Sequence, residues 1–168
     1  MTPSRFRLSQ PVRRLVQGAV LASAAAFAAM GAMAHGDMAP QAVDTRTLPQ
    51  LGDKWLDANP YGPSSPARAE AVRIGTSAYN QNCARCHGLE AISGGIAPDL
   101  RMFEGDCTAM ANKAQKEACF KEMDDYFTAT VRRGRMRDGR VYMPPFEGTL
   151  TQEAIWAIRS YLETRREP

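Results

Sequence analysis

The feature that most constrains this chain is the pentapeptide Cys83-Ala84-Arg85-Cys86-His87, two thiols two residues apart with an imidazole directly behind the second. Three chemistries use such a pattern. A thioredoxin-like redox pair needs a βαβ setting, and here the motif closes a helical stretch with no strand in view. A four-cysteine zinc site could be drawn from Cys83, Cys86, Cys107 and Cys119. Covalent haem attachment fits the spacing directly: two thiols add to the two vinyl groups, and the following histidine lands under the iron as a ligand.

The compartment decides among these, and residues 1–34 speak to it. Arg5, Arg7, Arg13 and Arg14 come without an acid and precede an alanine-rich apolar run from Ala19 to Ala34, the order of a signal peptide. Ala32-Met33-Ala34 puts small residues at the two positions a signal peptidase reads, so cleavage is expected after Ala34, and the mature chain in the periplasm. A retained anchor is the poorer reading, because Gly18, Ser23 and Gly31 interrupt the apolar stretch and leave it marginal for a membrane span. Arg13-Arg14 could suggest the twin-arginine route, but haem attachment takes place outside the cytoplasm on a chain exported unfolded.

Export to an oxidising compartment favours disulfides over thiolate zinc. One haem c is therefore expected, at Cys83, Cys86 and His87. Cys107 and Cys119 are not followed by histidine, which excludes a second haem, and they are free to pair. A disulfide closing so short a loop stabilises by ~3 kcal/mol in the chain-entropy model. The 21 basic and 18 acidic residues carry no message about nucleic acid, because loss of the four signal arginines leaves 17 against 18. A binder of phosphate backbones keeps a basic surplus after processing.

Residues 35–65 form an expected extended arm, punctuated by prolines and glycines with no persistent period. Leu51, Trp55, Leu56 and Tyr61 would let it wrap a domain at 66–168. There, Ser65 and Pro66 can open a helix running to about Asn80. Phe120, Met123, Phe127 and Val131 predict a second from about Lys116 to Arg133, ending at Gly134. Thr151 caps the third, whose apolar stripe is Ile155, Ile158, Tyr161 and Leu162. No convincing strand pair is read, so the class is all-α: three to four helices with long loops, 88–105 and 134–148, as shells around one covalent haem that completes a modest core.

The surroundings of the motif resemble the class I cytochromes c. Gly75, Tyr79 and Cys83 repeat that family's G-x-x-x-aromatic-x-x-x-C spacing, and Tyr161-Leu162 looks like the pair on the last helix that crosses it. Gly94 to Leu100 resembles the loop in which a proline carbonyl orients the ligand histidine; the match implies that Pro98 holds His87. For the sixth position His35 is the only other histidine and would be the first residue of a loose arm, so methionine is favoured. Met143, in Val141-Tyr142-Met143-Pro144-Pro145, matches the family's methionine-before-proline loop, with Met136 as competitor. Arg132, Arg133, Arg135, Arg137 and Arg140 lie just ahead of it, either as a solvated basic face, as partners for propionates, or as a surface steering an acidic partner.

With both axial positions filled the resemblance implies an outer-sphere carrier of single electrons, not an enzyme. The blocks 35–45, 79–100, 137–144 and 152–162 look like the periplasmic cytochromes c that accept electrons from PQQ-dependent alcohol dehydrogenases. The implied donor is such a quinoprotein alcohol dehydrogenase, and the acceptor a terminal oxidase or another cytochrome. The segment from Cys107 to Cys119 departs from the shorter members. A general respiratory shuttle is the alternative role, and a haem enzyme or sensor with an open sixth site would need Met143 off the iron.

Overall fold

In the computed structural model residues 39–166 are described; the expected signal peptide, its cleavage site and His35 lie outside them. The first helix, α1 (Arg68–Asn82), begins after a tight turn at Pro66-Ala67 in which the Ser65 hydroxyl accepts from the Ala67 N–H at 3.3 Å. The helix breaks at Cys83 and resumes as α2 (Ala84–His87). A short α3 (Gly105–Ala109) precedes the long α4 (Lys113–Arg133). Asn112 accepts from the Gln115 N–H at 3.1 Å. That cap starts α4 ahead of Lys116, where the apolar spacing alone would place it. The last helix, α5 (Gln152–Glu163), is capped by Thr151, whose hydroxyl accepts from the Ala154 N–H at 3.3 Å, as a good N-cap residue does.

The fold is set by the crossing of α1 and α5. A Cβ on Gly75 would lie 2.0 Å from the carbonyl oxygen of Ala157. The two backbones therefore touch where only glycine fits. Beside the crossing the rings of Tyr79 and Tyr161 sit 5.1 Å apart between centroids, tilted by 43°, within the range of favourable aromatic pairs. Phe127 and Val131 from α4, with Phe146, Leu150, Ile155, Ile158 and Leu162, close the core around them. Each such side chain contributes about 1.5–3 kcal/mol by leaving water.

One element departs from the all-α expectation. Residues 135–143, expected as loop, form an antiparallel hairpin of β1 (Arg135–Arg137) and β2 (Arg140–Met143), with Met136 opposite Val141. Asp138 and Gly139 both have positive φ, 51° and 73°. That is the geometry of a two-residue hairpin turn for which Asp-Gly is a preferred sequence. The strands are exposed on both faces apart from Met143, so they leave no alternating pattern to read.

From Pro40 onward the chain is one compact unit. Residues 40–66 lie against the start of α5: the Leu51 N–H donates to Glu153 at 2.8 Å and the Leu56 N–H to Gln152 at 2.8 Å, while Leu48 and Tyr61 are buried. Cys107 and Cys119 form a disulfide that joins α3 to α4, with 5.5 Å between their Cα atoms. Nearby, Arg159 is buried in α5 among acids distant and near in sequence: Glu104, Asp124 at 2.7 Å and Glu163 at 3.7 Å. Arg166 also pairs with Glu104, and Arg68 with Glu163. Among the described residues no helix is long and apolar enough to cross a membrane.

Candidate functional site

The motif is built on a single turn of backbone. The Cys83 N–H donates to the Tyr79 carbonyl at 2.8 Å, and the Cys83 carbonyl accepts from Cys86 at 3.1 Å and His87 at 3.0 Å. Both thiols are free and partly buried on that turn. The Tyr79 hydroxyl reaches over it to the Gly88 carbonyl at 2.8 Å. Gly88 turns the chain away with a φ of 80°, and a Cβ there would lie 1.8 Å from the Ile92 carbonyl oxygen. Only glycine meets both conditions. Burial, with Cys86 adding to it, pushes the Cys83 thiol up to about 12. The Cys107–Cys119 bond removes the four-thiolate zinc set.

After the motif the chain doubles back so that His87 Nδ1 lies 2.9 Å from the Pro98 carbonyl oxygen. A carbonyl only accepts, so Nδ1 carries the hydrogen and Nε2 is left with its lone pair available to a metal. The next residue fixes this loop: Asp99 accepts from the Ser93 N–H at 3.3 Å, the Arg101 N–H at 3.0 Å and the Arg101 guanidinium at 2.8 Å. The guanidinium holds the Asp99 carboxyl at about 2.

On the facing loop Met143 ends β2 and packs, partly buried, against the main core. Its backbone lies hard against the end of α4. A Cβ on Gly134 would come within 2.3 Å of the Met143 carbonyl oxygen and 2.7 Å of the Pro145 nitrogen. Past Pro145 the chain follows the helix end, with Phe146 donating to the Val131 carbonyl at 3.0 Å and Glu147 to the Arg132 carbonyl at 3.2 Å. Met136, the competing thioether, is exposed on β1.

The two loops meet where the Tyr142 hydroxyl donates to the Ile96 carbonyl at 3.0 Å. Ile92, Ile96 and Met102 on one loop, and Met136, Val141 and Tyr142 on the other, are all exposed. Exposed apolar side chains on both loops, with two free thiols and an oriented imidazole at the start of one of them, suit a large apolar cofactor. The arginine cluster divides: Arg132 pairs with Glu147 and Arg135 with Thr130, while Arg137, near Asp138, is exposed.

Residues 70–162 match the family described as cytochrome C oxidase, cbb3-type, subunit III, which covers more than half of the chain. The chain belongs to this family of c-type cytochromes. Cytochrome c550 of Pseudomonas aeruginosa is 53% identical over 133 residues, 79% of this cytochrome and 82% of that protein. Two quinohemoprotein alcohol dehydrogenases of Pseudomonas putida, ADH-IIG and ADH IIB, are 30% and 31% identical over 109 and 99 residues. Those matches span 63% and 59% of this cytochrome and 12% of each enzyme. No solved structure matches it significantly.

As a c-type cytochrome the protein carries one covalent haem c and transfers electrons; it is not an enzyme. The haem supplies the one-electron couple. The polypeptide supplies attachment, orientation and the surrounding dielectric. Sequence reasoning does not single out Gly134, Tyr142 or the Asp138-Gly139 turn as site-building residues. Asp-Gly is a readable signal, whereas the other two act through contacts that only the folded chain creates.

Proposed function

We propose that this cytochrome is a periplasmic carrier of single electrons that takes them from a quinoprotein (PQQ-dependent) alcohol dehydrogenase and passes them to a terminal oxidase or another cytochrome. Its haem is bound through Cys83 and Cys86, with His87 as one axial ligand, oriented by Pro98, and Met143 as the other. The observation that carries this reading is the pairing of His87 Nδ1 with the Pro98 carbonyl on one loop, together with a core-packed Met143 on the segment that Tyr142 ties to that loop. One fixed imidazole and one thioether fill both faces of a haem iron and leave no position for a substrate.

The donor is supported by the resemblance of the chain's blocks to cytochromes of this type, and by the two matches to enzymes named quinohemoprotein alcohol dehydrogenases. The family match supports an oxidase-side acceptor. Stopped-flow mixing with reduced quinoprotein alcohol dehydrogenase should reduce the haem within the enzyme's turnover time; no reduction removes the donor assignment. Wild type should show a methionine-to-iron absorption band and refuse carbon monoxide, and Met143→Ala should lose the band and bind the gas. Carbon monoxide uptake by wild type would place the open-site alternative ahead.

A further inference from the structure

The loop after the haem motif is held on its own side by short-range contacts. Ser93 donates to the Ala97 carbonyl, accepts from the Gly95 N–H at 3.0 Å, and gives its own N–H to Asp99. None of these reaches the opposite wall. Gly94 and Gly95 sit at the rim, Gly95 with a φ of 94° and open space around it, and glycine adds conformational freedom there. A loop made this way can open outward, and the imidazole it orients would lose its partner at Pro98.

Tyr142 supplies the link across. Its hydroxyl donates to the Ile96 carbonyl, two residues before Pro98, and its backbone is bonded directly to Met143. Successive side chains of a strand leave on opposite faces. Tyr142 reaches outward to the far loop while Met143 packs against the core. One phenol therefore spans the two segments to which the proposed function assigns the axial ligands.

We propose that Tyr142 is a positioning residue: its hydroxyl straps the histidine-side loop to the methionine-side hairpin and limits how often the haem crevice opens. The strap rests on the haem reading above but not on Met143 being the ligand. A single hydrogen bond of this kind changes an opening equilibrium by about five-fold. Tyr142→Phe removes only the hydroxyl and keeps the ring.

The test compares holoprotein of wild type, Tyr142→Phe and Tyr126→Phe; Tyr126 is an exposed tyrosine on α4 that serves as a control for the same chemical change. Amide hydrogen exchange over residues 93–98 should quicken about five-fold in Tyr142→Phe alone. If the axial assignment above holds, carbon monoxide, which reduced wild type refuses, should bind detectably to reduced Tyr142→Phe, with the methionine band still present at rest. Unchanged exchange in Tyr142→Phe, or equal acceleration in both variants, overturns the strap. If wild type lacks the methionine band the axial assignment fails, while the exchange comparison still decides the strap.

Discussion

The guanidinium carbon of Arg132 stands 4.2 Å from the centroid of the Trp55 ring. The same side chain donates to Glu147 at 3.0 Å, just past the Met-Pro-Pro segment, so one cation fastens the arm and the segment after Met143 to the end of α4. Lysine would keep the charge but lose the flat stacking and the forked hydrogen bonding. Arg132→Lys and Trp55→Leu are each expected to cost about 1 kcal/mol or more in urea unfolding of the holoprotein. Their double mutant should fall short of additivity by about 0.5–1 kcal/mol; strict additivity means the two side chains are not coupled.

Gly134 combines positive φ with a backbone packed on Met143 and Pro145. Alanine there must push the methionine loop outward. Gly134→Ala should lower stability by about 1–3 kcal/mol and, on the axial assignment proposed above, weaken or abolish the methionine-to-iron band at neutral pH. An unaltered visible spectrum would show that the loop tolerates the displacement.

Arg159 is the buried centre of an acidic cage, and removing it strands carboxylates away from water. Arg159→Met should cost about 3–5 kcal/mol, read as a fall in the thermal midpoint of the holoprotein. A surface pair offers the contrast: Lys113 and Glu117 are both exposed and 3.8 Å apart. Lys113→Met should change stability by less than about 1 kcal/mol. Equal effects would rule out the buried cage as a centre of stability.

Asp99 has a folded-state carboxyl held at about 2, below its ordinary 3.8, first by the side-chain bond from Arg101. A depressed carboxyl contributes stability above the unfolded value and loses it as pH falls through the folded one. The loop around Pro98 should therefore loosen between about pH 4 and pH 2. Asp99→Asn should flatten that part of the acid titration, followed by amide exchange at Ser93 and Arg101; an unchanged profile would exclude Asp99 as the titrating group.

That the chain carries a haem was legible because covalent attachment demands a fixed local spacing, and the family match agrees. The last helix was equally legible, since Thr151 and a regular apolar stripe are local signals. Gly75 was readable through its spacing to Tyr79 and Cys83, and the structure supplies the reason in the Ala157 carbonyl. The early start of α4 was hidden because apolar spacing begins only at Phe120, whereas Asn112 acts through a side-chain bond to Gln115. Arg159 carries no local signal of its burial. Its burial depends on Glu104 and Asp124, which no window of sequence brings beside it. At the candidate site Cys83, Cys86 and His87 stand together in one pentapeptide, while the approach of Gly134 to Met143 arises only once β1 and β2 have folded back.

The meeting of Gly75 with Ala157 also ties the first helix of the fold to the last. The two backbones touch with no side chain between them, and the contact joins segments far apart along the chain, whose closure costs entropy before the contact can offset it. Loosening either of these two helices therefore loosens the other.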